Sequence, residues 1–301
     1  MAERAGLARA RARVRSDLAE AGLVAGLLVR DLGTGREADV EADVLTPAAS
    51  LAKLPLALAV LTRVDDGRLD GARPVEVPAG DPGEVTPGLG RFRHPAVVAV
   101  DDLVGLALTI SDNAAADALL RLVPPDEVGA DLERLGIGPM VLRHPFGDLS
   151  DTPLDRLPPH EAHLAHTLAI RGSTPAQGHP IRQLDVARTN VVTARSVADL
   201  LERVWTGRGL RPVVAARLRE HLRGSVARHR LAPDLASDDA RWASKTGTLL
   251  NLRHEAGVVE HADGARVVVV ALSTSRVPAT VQPAAEAALG AAARLLHDLV
   301  R

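Results

Sequence analysis

Two lysines draw notice because the chain avoids lysine everywhere else. Of its 36 basic residues only Lys53 and Lys245 are lysine. A guanidinium keeps its proton in a protein, whereas a lysine amine gives its proton up when burial and neighbours disfavour the charge. Both lysines stand beside hydroxyls, in Ser50-Leu51-Ala52-Lys53 and in Lys245-Thr246-Gly247. At the start of a helix Ser50 and Lys53 share a face. A hydroxyl there lies in the positive field of the helix N-terminus, which favours an alkoxide, and the amine can take its proton. Ser111-Asp112-Asn113 supplies a second hydroxyl and a carboxamide, and Lys245-Thr246-Gly247 a cation, a hydroxyl and a glycine that admits close backbone approach. The chemistry on offer is nucleophilic attack by a serine with a lysine base.

The elements that must position these groups follow from periodicity. Residues 3–20 have helical spacing, Leu23 to Leu32 reads as a strand, and Gly33-Thr34-Gly35 turns into a more polar strand near 37–44. Residues 50–64 predict an apolar helix that tolerates Pro55 near its start. The stretch from Pro74 to Pro95 reads as loop. Asp101-Asp102 is expected to cap a helix through Ile110, followed by a helix over 113–122. Helices are expected at 161–170, 196–205 and 212–222, strands at 241–248, 255–260 and 266–273, and an alanine-rich helix at 283–300. Strands at both ends with helices between predict an α+β fold: one antiparallel sheet built from both termini, flanked by helices, with an all-helical domain inserted. The expected division is 1–47 with 223–301 for the sheet and 48–222 for the insert.

Taken together and in this order, the Ser-x-x-Lys, Ser-Asp-Asn and Lys-Thr-Gly motifs resemble the class A β-lactamase and penicillin-binding transpeptidase superfamily. The resemblance covers nearly the whole chain, and the step from Ser50 to Ser111 is similar to that of the class A branch. It implies that Ser50 is the nucleophile and Lys53 its base, that Ser111 relays a proton to the leaving nitrogen, and that Asn113 orients Lys53 and the substrate amide. It implies that Lys245 and Thr246 hold a substrate carboxylate, with Gly247 beside them. The backbone N–H groups of Ser50 and Thr248 would form the oxyanion hole, and Arg253 resembles an additional carboxylate-binding arginine. No cofactor and no metal are implied.

One departure concerns release of the acyl group. Class A enzymes carry a water-activating glutamate in a loop after the Ser-Asp-Asn helix. Matching Leu135-Gly136 and Val141-Leu142 without gaps puts Phe146 at that place. Asp148 and Glu161 are the carboxylates that could take over. The stretch from Ser111 to Lys245 is also longer than the class A pattern, and the excess enlarges the Ω-type loop at about 144–190. His160, His163 and His166 lie in it, spaced three apart; that spacing spreads them over nearly two turns, so a solvated helix face is expected rather than a metal site.

Composition narrows the remainder. A net charge of −2 argues against a nucleic-acid partner, whose affinity would need an uncompensated basic face. The aromatics are Phe92, Phe146, Trp205 and Trp242, too few for a base-stacking platform. There is no cysteine, hence no disulfide or thiolate chemistry. No segment has the length of a membrane span. The apolar run from Leu23 to Val29 is short and ends at Arg30-Asp31, so a cytoplasmic protein is expected, monomeric by default, acting on a small molecule with a carboxylate. The expected activity is acyl-enzyme formation at Ser50 and hydrolysis of a cyclic amide, a β-lactam. The alternatives are an intracellular amidase, esterase or acyltransferase, and a β-lactam-binding protein with slow turnover. Both lysines favour chemistry, since arginine would serve for binding alone.

Overall fold

The computed structural model describes residues 2–81, 87–174 and 178–301. The chain opens with helix α1 (Ala2–Glu20) and strands β1 (Leu23–Asp31), β2 (Glu37–Val40) and β3 (Thr46–Pro47). A 3-10 turn at Ala49–Ala52 runs into α2 (Lys53–Asp65), followed by β4 (Pro74–Val77), β5 (Ala96–Ala99), α3 (Val100–Thr109), α4 (Asn113–Leu122) and α5 (Pro125–Arg134). Then come β6 (Met140–Val141), α6 (Pro153–Arg156), α7 (Ala162–Arg171), β7 (Val191–Val192), α8 (Ala194–Thr206) and α9 (Pro212–Arg223). The tail holds α10 (Ala232–Leu235), β8 (Ala240–Leu249), β9 (Leu252–His261), β10 (Arg266–Ser275) and α11 (Pro283–Val300).

Among the described residues both chain ends meet in one five-stranded antiparallel sheet, ordered β2-β1-β10-β9-β8. The closing pair is β1 with β10, from Leu23 opposite Ser275 to Asp31 opposite Val267. The run Val267–Leu272 is apolar at every position because both faces are covered, and strand side chains alternate between faces. Val267, Val269 and Ala271 pack with Leu289, Ala293 and Leu296 of α11 and Val14 and Leu18 of α1. Val268, Val270 and Leu272 join the core that holds α2 and α8. Helix α2 is buried all round from Lys53 to Leu61, as a helix apolar on every side must be. Its two ends of the cleft are thereby fixed: the nucleophile turn sits between the sheet edge β8 and the inserted helices.

The insert is helical with short ladders, β4 with β5 and β3-β7-β6, where proline-rich stretches pair their backbone groups instead of coiling. The loop expected from Pro74 to Pro95 therefore contains β4; its residues 82–86 lie outside the described residues, as do 175–177 of the enlarged loop. Two local expectations are corrected. Helix α3 is capped by Ala99 without a side-chain bond, not by Asp101. The N–H groups of Val100 and Asp101 instead donate to the carbonyls of Arg73 and Gly71, and the Asp101 carboxylate pairs with Arg217 at 2.7 Å. Strand β2 ends at Val40 because Glu41 turns to a positive φ of 48°.

Candidate active site

The nucleophile turn and the Ser-Asp-Asn loop both hold a non-glycine residue in the left-handed region, Ala49 at φ 45° and Ser111 at φ 63°. Each costs of order 1–3 kcal/mol and persists only where surrounding packing dictates it. Ala49 is buried against Ala165, Ala169 and Leu250. The Asp112 carboxylate caps α4 at Ala115 N–H and also accepts from Leu89 N–H. These anchors present Ser50, Ser111 and Asn113 to one point.

That point is the Lys53 amine, fully buried. Its Nζ lies 2.6 Å from the Ser111 carbonyl and 2.6 Å from Asn113 Oδ1. It is 3.4 Å from Ser50 Oγ and 3.3 Å from Ser111 Oγ. Burial, then the charge of Lys245, pushes this amine well below the ordinary lysine range, against the pull of Asp112 and Asp117. A neutral amine has two N–H bonds and one lone pair. The two short contacts are to acceptors and use both N–H bonds, so the lone pair is left for a hydroxyl proton. Lys245 Nζ stands 2.9 Å from Ser111 Oγ and donates to the Thr246 carbonyl at 2.9 Å. Burial and then Arg230 bring its pKa down to about 7, opposed by Glu255. Ser111 Oγ thus sits between two amines, the position a proton relay requires.

The β8 side is built to close tolerance. A Cβ at Gly247 would lie 3.1 Å from the Ala48 carbonyl, so the strand and the nucleophile turn are in direct backbone contact. His254 fixes that approach. Its Nδ1 accepts from Ser273 N–H at 3.0 Å, so Nε2 carries the proton and donates to the Pro47 carbonyl at 2.9 Å. Burial lowers its pKa to about 4, which keeps the ring neutral. Thr246 is buried opposite Glu255 in the β8–β9 register. The buried Glu255 carboxylate accepts from Trp242 Nε1, Ser244 Oγ and the N–H groups of Arg230 and Leu231. Arg230, which sequence reasoning missed, donates to Thr248 Oγ1 at 2.9 Å and to Glu286 at 3.0 Å. In a chain rich in arginine it carried no sequence signal. Arg253 borders the cleft, yet its guanidinium is engaged by the carbonyls of Leu250, Leu252, Ala279 and Thr280.

The opposite wall comes from the enlarged loop. Phe146 is fully buried, with its ring centroid 5.2 Å from Lys53 Nζ. The N–H groups of Phe146 and Gly147 donate to the two oxygens of Asp117 at 2.6 and 2.8 Å, which pins the loop to α4. Burial raises the Asp117 pKa against those bonds. A cavity of about 200 Å³ opens from Ser50, Asn113 and Thr248 toward Leu149, Asp155 and His166. Asp148 and Glu161 do not border it. Asp148 faces a separate cavity within the insert and lies 3.7 Å from Arg182; Glu161 is half-exposed beside His160. The three loop histidines do not share a solvated face: His160 and His163 are exposed, whereas His166 is buried, because α7 begins only at Ala162 and turns His166 inward beside Ala165. Among the described residues no three metal-ligating side chains converge, and no helix is long and apolar enough to cross a membrane.

A sequence profile described as "Beta-lactamase enzyme family" matches residues 8–300. A curated relative, "Beta-lactamase regulatory protein BlaB" of Streptomyces cacaoi, is 50% identical over 303 aligned positions, covering 96% of each chain. Among solved structures, PBP-A superposes with a TM-score of 0.75 at 21% identity, over 96% of this chain and 95% of that one. A β-lactamase from Chitinophaga pinensis superposes with a TM-score of 0.76 at 20% identity, over 96% and 98%. At those identities the superpositions establish the fold.

Proposed function

The chain belongs to the β-lactamase enzyme family, and we propose that within it this protein is an acylating serine enzyme whose acyl-enzyme is released slowly. Ser50 Oγ attacks the carbonyl of a cyclic amide, a β-lactam, while its proton passes to the Lys53 lone pair. The amide C–N bond then breaks, and the nitrogen takes a proton through Ser111 Oγ. Lys245 and Thr246 hold the substrate carboxylate, and the backbone N–H groups of Ser50 and Thr248 receive the developing oxyanion. The single observation that carries the reading is the contrast around Lys53. Its Nζ lies 3.4 Å from Ser50 Oγ, while the neighbouring side chain at 5.2 Å is a phenyl ring, which can neither accept a proton nor orient a water.

Two relatives support the persistent adduct. A variant of PBP-A, 21% identical with a TM-score of 0.75 over 97% of this chain and 96% of that one, is described as an acyl-enzyme complex with penicillin G. The 50% identical relative is named a regulatory protein, and a long-lived acyl-enzyme is a state that regulation can read. The test is a chromogenic cephalosporin under multiple-turnover conditions. The expected trace is a burst of about one product per protein followed by a slow steady state. A fast linear trace without a burst means efficient hydrolysis; no product at all means that the substrate class is wrong.

A further inference from the structure

The enlarged loop holds a cavity of its own, about 540 Å³, larger than the one beside Ser50. The segment 148–156, the 3-10 turn Arg182–Leu184 and the Leu168 side of α7 form its walls. Gln183 lies in that wall and is only 6% exposed. Its Nε2 donates to the carbonyls of Asp148 and Asp151 at 2.7 and 2.9 Å. Both N–H bonds are thereby used, and the orientation of the amide is fixed. Oε1 is left with no hydrogen bond among the described residues, and it is not sealed in. A buried amide held this firmly, with its acceptor open to a cavity, lacks only a donor. Beside it, Arg182 stands 3.7 Å from Asp148, beyond hydrogen-bond range, so its guanidinium keeps donors for another oxygen. Arg156, by contrast, is bonded to Asp151. Leu157, Leu168 and Ile181 supply apolar surface, and Leu168 is 41% exposed.

We propose that this cavity is a second ligand site, for an α-amino acid with an apolar side chain, free or ending a short peptide. The ligand N–H donates to Gln183 Oε1, its carboxylate takes the Arg182 guanidinium, and its side chain lies on Leu157, Leu168 and Ile181. Each part of the wall excludes a class. A fatty acid has no donor for Gln183, and a simple amine has no anion for Arg182. A phosphate-bearing ligand meets one unengaged guanidinium beside two carboxylates, Asp148 and Asp151. The volume lies within the range of small-molecule sites, roughly 300–1,000 Å³. Thr152 borders both this cavity and the one beside Ser50, so an occupant bears on a wall that the two share. Binding here does not depend on acylation of Ser50.

Ligand-observed NMR titrations with three compounds of one shape separate the contacts: leucine, 4-methylpentanoate, which lacks the nitrogen, and leucinamide, which lacks the carboxylate. Leucine should saturate the protein with a Kd of about 1 mM or tighter. Each of the other two should bind about tenfold more weakly, the scale of one hydrogen bond. Arg182→Gln should weaken leucine to the level of leucinamide and leave leucinamide unchanged. Gln183→Lys keeps a donor for the two backbone carbonyls but offers no acceptor, and should erase the preference for leucine over 4-methylpentanoate. Arg182 is half-exposed, so its variant keeps the test open even if Gln183→Lys fails to fold. No saturation by millimolar leucine, equal affinities for the three compounds, or a preference for leucine over leucinamide that survives Arg182→Gln overturns the proposal.

Discussion

The two walls of the cleft are built by opposite means. On the α2–α4–β8 wall the reactive groups are paired with one another: Lys53 with Asn113 and the Ser111 carbonyl, and Lys245 with Ser111 Oγ and Thr246. On the insert wall Asp148 and Gln183 turn to partners within the loop, while Ser150, Thr152, Asp155 and His166 border the Ser50 cavity. Asp148 faces Arg182, the Gln183 amide holds the carbonyls of Asp148 and Asp151, and Phe146 presents a phenyl ring to Lys53. The first wall has what attack on a carbonyl needs. The second has what binding an acyl group needs, and no carboxylate at the place where the phenyl ring sits. Under the proposed function, one scaffold separates forming an ester from breaking it.

The largest effect that tests this contrast lies on the first wall. Lys53→Arg should cost at least about 10² in acylation rate, nearly as much as Lys53→Ala, because a guanidinium keeps a charge but has no lone pair to offer. Stopped-flow acylation by a chromogenic cephalosporin measures it; a Lys53→Arg rate near the parent's would mean that the position supplies charge alone.

On the second wall, Phe146→Glu places a carboxylate beside Lys53 and should raise the steady-state rate by about 10², the lower end of what a general base contributes. The burst should shrink as release catches up with acylation. A variant that folds, by circular dichroism, and still shows the parent's burst would show that the phenyl ring is not what limits release.

A smaller effect concerns the two amines together. Lys53 must be neutral to act and Lys245 charged to attract a carboxylate. With Lys245 titrating at about 7, acylation should fall as pH rises through that value. On the acid side it should rise as Lys53 loses its proton, below the ordinary lysine range. Lys245→Gln removes the like charge, so the Lys53 pKa should rise and the acid limb move to higher pH, with about a tenfold loss at the optimum. A pH profile of acylation by intact-protein mass reads both limbs; an unmoved acid limb would uncouple the amines. The smallest effect is expected at Glu161→Gln and Asp148→Asn, within about twofold in both phases, since neither side chain borders the Ser50 cavity.

The first wall was legible in the sequence because its chemistry is local. Ser50 and Lys53 share one helix start, Lys245-Thr246-Gly247 one strand, and the strands of both ends advertise themselves by short apolar runs bounded by turn residues. The second wall was not, because its residues are defined by distant partners. Asp117 holds the Phe146 loop from α4, and His166 turns inward from α7; on the first wall only Arg230, which reaches Thr248 from outside the strand, was equally hidden. Phe146 is the exception: an ungapped reading from Leu135 singled it out, and its ring centroid lies 5.2 Å from Lys53 Nζ.

The most direct measurement is the mass of the intact protein over time after a single addition of penicillin G. The account predicts a shift by the full mass of one penicillin, formed faster than it decays and absent from Ser50→Ala. Equal labelling of Ser50→Ala, or product release with no adduct ever accumulating, would contradict it.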